Sequence, residues 1–288
     1  MLDITTLFCL IDDFCQKFEP QWNKTLLSNT PRGPKCSLSL SEIITILVLF
    51  HQSNFRTFKH FYFYLQRNFL KEFPNLLSYN RFVYIKKRAL VPLFAYLFNR
   101  RGKITGISFI DSTSIAICKN KRITRNKVFK GIAKIGKTTS GWFYGFKLHL
   151  IVNDKGEILS FLLTPGNVSD IAFVEELSKG IFGNLYGDKG YISNSLFKKL
   201  YKKGLKLFTT LKSNMKNKFI PFIDKMLLRK RSIIETINDQ LKNISQIEHS
   251  RHRSIANFFI NLLAGLVAYT HQQKKPSIKF EKNSLIAC

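Results

Sequence analysis

The chain has 288 residues, of which 45% are hydrophobic, and its 46 Lys and Arg against 18 Asp and Glu give a formal net charge of +28. The apolar content excludes a largely disordered chain, and five scattered cysteines without a CxxC pair exclude a disulfide framework. Residues 1–50 carry four basic and five acidic residues, so the other 238 residues hold 42 basic against 13 acidic, or +29. A field of that size attracts polyanions, and we expect a nucleic acid as the partner.

The competing partner for so basic a chain is an anionic membrane. The apolar runs at 43–50 and 258–269 are too short to cross a bilayer, and the first residues lack the basic start of a signal peptide. We therefore expect no membrane partner and a cytoplasmic location, associated with the nucleoid.

Residues 1–102 are predicted to form an all-helical N-terminal domain, a candidate for DNA-end binding. Ser39 precedes an apolar helix as its N-cap, residues 55–69 form a second amphipathic stretch, and Ser78 opens a third that runs to about Phe98. The third stretch is basic at 86–88. Two interpretations stay open: a helix-turn-helix DNA reader, or a helical bundle that packs on the rest of the protein.

Strand patterns begin after residue 102. The predicted strands cover 107–110, 142–152, 157–163, 184–186 and 206–211, and the predicted helices cover 170–179 (capped by Ser169 and Asp170), 193–203, 231–247 and 255–272. A polar, basic segment at 212–230 has no assigned structure. The order β-β-β-α-β-α-β-α is that of the ribonuclease-H-like fold. We predict an α/β protein with a mixed five-stranded sheet and helices over 103–275, preceded by the helical domain and followed by a tail at 276–288.

Three carboxylates occupy special places in this order. Asp111 ends the first predicted strand, Asp188 ends the fourth, 77 residues later, and Glu235 lies on a helix. The ends of those two strands are neighbours in the predicted sheet, so we expect the three side chains to form a catalytic site that binds two Mg²⁺ ions, with Mn²⁺ as a substitute. Asp239 is the alternative third ligand. Each carboxylate also has an alternative, purely structural interpretation. Asp111 would terminate a strand, Asp188 would belong to a turn, and Glu235 would pair with an Arg on an exposed helix face.

Basic residues surround these carboxylates in sequence. No acidic residue lies between Asp111 and Asp154, and the interval carries nine Lys and Arg. A loop of this length and sign is typical of a phosphate-binding flap. The predicted DNA contacts are Lys119, Lys121, Arg122, Arg125, Lys127 and Lys147 in this interval, Arg231 and Lys242 beside Glu235, and Arg253 in a basic cluster at 249–253.

Taken together, the motifs at 109–113 (FIDST), 141–149 (GWFYGFKLH), 165–170 (PGNVSD), 186–191 (YGDKGY) and 231–242 resemble those of a known family. They resemble the DDE transposases of bacterial insertion sequences, most closely insertion sequence family 982, over about residues 105–255. Arg231, Glu235 and Lys242 match a Tyr-x2-Arg-x3-Glu-x6-Lys pattern of such enzymes, with Leu228 in the Tyr position.

The resemblance implies an enzyme whose metal-binding triad is Asp111, Asp188 and Glu235. It would cleave double-stranded DNA at the terminal inverted repeats of its element and join the freed 3′-hydroxyls to target DNA, as a homodimer in the synaptic complex. Two alternatives stay open: a metal-dependent nuclease of the same fold, and a catalytically inactive DNA-binding protein.

Overall fold

The computed structural model describes residues 3–25, 36–139, 141–210, 220–248 and 252–278. The chain forms two compact units. The first, here the helical unit, comprises Met1–Arg100 and Leu241–Gln273, and the second, the sheet unit, comprises Arg101–Gln240 and Lys274–Cys288. The predicted functional domains, at 1–102, 103–275 and 276–288, stay predictions. The two compact units have different bounds, because residues 241–273 pack with the N-terminal helices. Most of the tail, 279–288, lies outside the described residues.

The helices of the described residues are α1 (Ile4–Thr25), α2 (Leu40–Gln52), α3 (Phe58–Asn68), α4 (Tyr79–Ile85), α5 (Leu90–Asn99), α6 (Val174–Leu177), α7 (Asn194–Lys202), α8 (Phe222–Lys230), α9 (Ser232–Asn243) and α10 (Ile255–Thr270). The third predicted stretch of the N-terminal part is divided, since a 3-10 turn at Lys86–Ala89 separates α4 from α5. None of the helices in the described ranges is both long and apolar enough to cross a membrane.

Local chemistry explains the helix boundaries in the helical unit. Ser39 caps α2 through a capping box, in which its hydroxyl accepts from the Glu42 N–H and its own N–H donates to the Glu42 carboxylate. Helix α10 is apolar around most of its circumference and buries almost every residue from Phe258 to Thr270. A helix of that kind is stable only inside a core, which is why α10 packs between α2 and α5.

The sheet unit contains six described strands, β1 (Ile107–Cys118), β2 (Lys134–Thr138), β3 (Gly141–Asn153), β4 (Ile158–Pro165), β5 (Gly183–Gly187) and β6 (Leu205–Thr209). Their order is β2-β3-β1-β5-β6, and β4 pairs with β3 on the same edge as β2. The β1–β3 pair is antiparallel, while β1–β5 and β5–β6 are parallel. This mixed sheet, preceded by helices, confirms the predicted ribonuclease-H-like α/β class.

Different helices pack on the two faces of the sheet. On one face Ile110, Ile151 and Leu185 form a buried apolar cluster with residues of α6 and α7. On the other face the Tyr186 ring stacks on Phe208, with a centroid distance of 5.3 Å, and makes a tilted contact with Phe109 at 5.6 Å. The Tyr186 hydroxyl donates to Asp224 of α8 at 2.6 Å, which fixes α8 over this face.

Four details of the predicted pattern need correction. Strand β1 does not end at Asp111 but continues to Cys118, because the β-branched residues Thr113 and Ile115 keep pairing with β3 up to a register shift at Ile117. Strand β2 and helix α8 were not predicted, since both lie in segments whose basic residues conceal the apolar period. Ser169 and Asp170 cap no helix: α6 is only Val174–Leu177. Of the segment 212–230, residues 212–219 lie outside the described part.

Candidate active site

Asp111 and Asp188 occupy equivalent levels of neighbouring strands. The parallel pairs of β1 and β5 are Ile107 with Asn184, Ser108 with Leu185 and Phe109 with Tyr186, a constant offset of 77 residues (184 − 107). Asp111 and Asp188 differ by the same 77, so each lies two residues beyond the last parallel pair. In the structure β5 has just ended there, whereas β1 continues along β3. The two carboxylates therefore lie where β1 and β5 separate.

The carboxyl group of Asp111 is largely buried and accepts a hydrogen bond from Asn238 of α9, Nδ2 to Oδ2, at 3.0 Å. Burial raises the pKa of Asp111 to about 6, against the lowering effects of Arg231 and the Ser112 N–H. Glu235 and Asp188 raise that pKa further by electrostatic repulsion. Asp188 and Glu235 are thus each close enough to Asp111 to repel its negative charge, and a bound cation would relieve this repulsion.

Asn238 contacts Asp111 but was not among the site residues predicted from the sequence. It is 6% exposed, and its Oδ1 is buried with no hydrogen-bond partner among the described residues. Its position three residues after Glu235 on α9 is the sequence signal, because residues three apart share a helix face. A buried amide oxygen without a donor is rare and marks a place where a ligand can supply the missing contact.

Glu235 is half-exposed and forms an ion pair with Arg231, one turn earlier in the chain. The Arg231 side chain is only 18% exposed, so the guanidinium is held against the site and is not a free surface cation. The predicted Arg–Glu pair is therefore present together with the electrostatic coupling of Glu235 to Asp111.

Asp188 follows β5 as the N-cap of a 3-10 turn, Lys189–Tyr191, and its carboxylate accepts from the Lys189 N–H. The turn brings the buried ring of Tyr191 under the site. Burial raises the pKa of Tyr191 above its usual range, and the carboxylates of Asp111, Asp170 and Asp188 add to this effect. The Tyr191 phenol is therefore neutral and is not a base in this environment.

Lys147 was predicted to contact DNA, and the structure gives it intramolecular partners. Its ammonium group donates to Asp170 Oδ1 and to the Val168 carbonyl, both at 3.0 Å, and its side chain is 14% exposed. Ser112 Oγ donates to the same Asp170 oxygen at 2.9 Å. Asp170 thus joins β1, β3 and the loop after β4, instead of capping a helix as predicted.

The loop between β1 and β2 presents its cations to solvent. Lys119, Lys121, Arg122, Arg125 and Lys127 are all exposed, as expected for a surface that binds phosphates. The loop is anchored, because Phe129 is fully buried and its carbonyl accepts from the Tyr144 hydroxyl at 3.0 Å. This segment, residues 119–133, is called the cationic loop below, and it packs on the sheet unit through Phe129.

The two remaining predicted DNA contacts belong to the helical unit. Lys242 forms an ion pair with Glu248 at 3.3 Å. Arg253 is exposed. Of the cluster at 249–253, residues 249–251 lie outside the described part.

The donors around Asp111 fit a divalent cation in their chemistry. They are carboxylate and amide oxygens, the ligands that Mg²⁺ and Mn²⁺ prefer, and Asn238 Oδ1 is a buried oxygen without a partner. Within the described residues, no three His, Cys, Asp or Glu side chains are arranged closely enough to hold one ion. Glu235 faces Arg231 instead, so a change of its rotamer is needed to complete a three-carboxylate shell.

Comparison with known proteins bears directly on this geometry. The family model described as "Transposase DDE domain" matches residues 101–255, which is 155 of 288 residues. The chain belongs to this family. The match includes all three candidate carboxylates and the whole sheet. No curated protein matches the sequence.

Two solved structures of transposases are similar to this DDE-family chain. The first is the cryo-EM structure of a piggyBac transposase synaptic complex with hairpin DNA, with a TM-score of 0.50 and 10% identity over 94% of this chain and 74% of that one. At this identity the likeness shows the fold alone. The second is the crystal structure of the Mos1 mariner paired end complex with Mn, with a TM-score of 0.24, 12% identity, and coverage of 90% of this chain and 84% of that one.

Proposed function

We propose that this protein is a divalent-metal-dependent DNA transposase of the insertion-sequence type, with Asp111, Asp188 and Glu235 as its catalytic carboxylates. The observation that carries the proposal is the register of β1 and β5, which places Asp111 and Asp188 at one level where the strands separate. Membership of the DDE domain family supports the reaction class, and the net charge of +28 supports DNA as the partner.

The residues have separate tasks in this proposal. Asp111, Asp188 and the amide oxygen of Asn238 would hold Mg²⁺ or Mn²⁺. Glu235 would join them as a ligand after a DNA phosphate replaces Glu235 as the partner of Arg231. Two bound ions would activate the attacking oxygen and stabilise the leaving oxygen of an in-line displacement. Arg231, Lys242 and the cationic loop position the phosphate backbone.

The chemistry consists of two displacements at phosphorus. In the first, a water oxygen bonds to the phosphorus at the element's end and the bond from phosphorus to the 3′-oxygen breaks, which leaves a 3′-hydroxyl. In the second, that 3′-hydroxyl bonds to a target phosphorus and displaces the target's own 3′-oxygen. Both ends must be held together for this outcome, so we propose a homodimer in the synaptic complex.

The test is cleavage of a labelled duplex that carries the terminal repeats of the element, in Mg²⁺, Mn²⁺ or EDTA. Wild type should release 3′-hydroxyl ends only with metal, and should join pre-cleaved ends to a plasmid. Glu176→Gln, an exposed acid of α6, is the control and should behave as wild type. Metal-dependent cleavage without joining would instead identify a nuclease, and salt-sensitive binding without cleavage in any metal would identify an inactive DNA-binding protein.

A further inference from the structure

The helical unit contains a large cavity that the proposed reaction does not use. Its volume is about 850 Å³, within the range of ligand pockets, and it lies between α2, α3, α4 and α10. We propose that this cavity binds one unpaired nucleotide of a DNA strand. The inference deepens the proposed function, and rests on it in one respect: DNA is taken as the polyanion that the protein handles.

The charge of the cavity wall selects an anion. Arg56, Lys59, Lys86 and Arg253 line it, and none of the described lining residues is acidic. Lys86 is the most enclosed of these cations, and no carboxylate forms an ion pair with it among the described residues. Arg56, Lys59 and Arg253 are exposed and lie at the opening. A phosphate that enters would meet cations at the rim and a desolvated ammonium group further in, where attraction is strongest.

Aromatic rings beside these cations suit a nucleobase. The Lys86 ammonium lies 4.9 Å from the centroid of the Phe58 ring, and the Phe58 and Tyr79 rings are 6.4 Å apart at their centroids. Phe50 also lines the cavity and meets the Phe58 ring edge-on, with a centroid distance of 5.3 Å. Bases of any sequence stack on such rings, whereas an inorganic anion gains nothing from them.

Two amide oxygens in the wall lack partners. Gln246 Oε1 and Asn257 Oδ1 are buried without a hydrogen bond in the described part of the chain, and both residues line the cavity. Gln246 has a φ of 51°, the one positive φ outside glycine among the described residues. Strain of this kind together with an orphaned acceptor is typical of a binding site. The oxygens suit the amino and imino N–H groups on the edge of a base.

The two imidazole rings of the wall, His51 and His252, are neutral and do not contribute positive charge to the cavity. Burial lowers the pKa of His51 to about 4 and that of His252 to about 3, so both rings are neutral at pH 7. His51 donates through Nδ1 to the Ser245 carbonyl at 2.5 Å, since a carbonyl only accepts. Paired bases cannot reach these groups, because both faces and the edge of a base in a duplex are already occupied. The cavity therefore suits a nucleotide that has left its pair.

The experiment compares two duplexes of one sequence, in EDTA so that no cleavage occurs. One duplex carries a single unopposed 2-aminopurine, and the other has it paired. We expect wild type to bind the unopposed form about five-fold tighter or more and to quench its fluorescence by stacking. Lys86→Met, which keeps the packing on Phe58, and Phe58→Leu should bring the affinity ratio to about one. Arg67→Gln, an exposed cation of α3 outside the cavity wall, is the matched control and should keep the ratio.

Several outcomes would overturn the inference. They are an affinity ratio of one in wild type, a ratio unchanged in both cavity variants, or competition by inorganic phosphate as strong as that by deoxyadenosine monophosphate, which would mean a plain anion site. Failure here is distinct from failure of the proposed function. Binding in EDTA needs no catalytic carboxylate, and an Asp111→Asn protein should show the same preference for the unopposed base.

Discussion

The sheet unit and the helical unit each enclose a charge that burial penalises, and the two charges have opposite signs. In the sheet unit burial raises the pKa of Asp111 to about 6, and in the helical unit burial lowers the pKa of Lys86 to about 8. Each shift favours the neutral form and makes the charged form receptive to a counter-ion. In the two proposals above, the buried carboxylate of the sheet unit attracts a cation and the buried ammonium group of the helical unit attracts an anion.

The largest expected effect is the loss of strand cleavage on substitution of Glu235, compared with substitution of Asp239 on the same helix. Glu235→Gln removes a proposed metal ligand and should lower strand cleavage by about 10³-fold or more, with DNA binding retained. Asp239→Asn, one turn further on, should lose less than about ten-fold. Single-turnover cleavage of the terminal-repeat duplex measures both. The reverse ranking would assign the third ligand to Asp239.

Lys147, unlike Lys86, is an enclosed cation that already has an anionic partner, Asp170. Its pair with Asp170 is mostly shielded from water, so Lys147→Met should destabilise the fold by about 2–3 kcal/mol. Urea unfolding measures this free energy. The control is Lys199→Met, since the Lys199–Glu175 pair is well exposed and its loss should leave the midpoint nearly unchanged. Equal effects of the two substitutions would mean that Lys147 is not a structural cation.

Asp111→Asn should act in the opposite direction and stabilise the metal-free protein at pH 7. The folded pKa of about 6 lies above the usual 3.8, so the folded state retains its proton better, and wild type loses stability as pH rises from about 4 to about 6. Asparagine still accepts from Asn238 and does not ionise. We expect a gain of about 1–2 kcal/mol at pH 7 that disappears near pH 4. A variant that is less stable at both pH values would mean that burial of the charged Asp111 side chain does not destabilise the fold.

Lys86→Met should give the smallest effect, a gain of about 1 kcal/mol at pH 7, because the contact with Phe58 offsets part of the burial penalty. The folded pKa of about 8 lies below the usual 10.5, so the folded state binds fewer protons between these values. The penalty is complete below pH 8 and fades as pH rises towards 10.5. Thermal melts at pH 7 and pH 10 check the sign, and a variant that melts lower than wild type at pH 7 would remove the parallel with Asp111.

Much of the sheet unit could be predicted because its signals are local. The apolar strand at 142–152 and the helix at 193–203 are visible in short windows of sequence, and the spacing of Asp111 and Asp188 follows from strand order. Strand β2 was not predicted because Lys134 and Lys137 interrupt its pattern of apolar residues. Lys147 could not be recognised as structural, since its partner Asp170 is 23 residues away in sequence.

The cavity of the helical unit could not be predicted at all. Its wall combines Arg56, Lys86, Gln246 and Asn257, which come from segments up to about 200 residues apart in sequence. The orphaned oxygen of Asn238 is also a property of packing, although the place of this residue on the Glu235 face was evident.

Asp111 is proposed to help hold a divalent cation where β1 and β5 separate. Titration of Mn²⁺ into the metal-free protein, followed by calorimetry, tests this proposal without DNA or turnover. Wild type and Glu176→Gln should bind Mn²⁺ alike, and Asp111→Asn should bind at least about ten-fold more weakly. Equal binding by Asp111→Asn and wild type would mean that the carboxylate does not bind the cation and serves the fold alone.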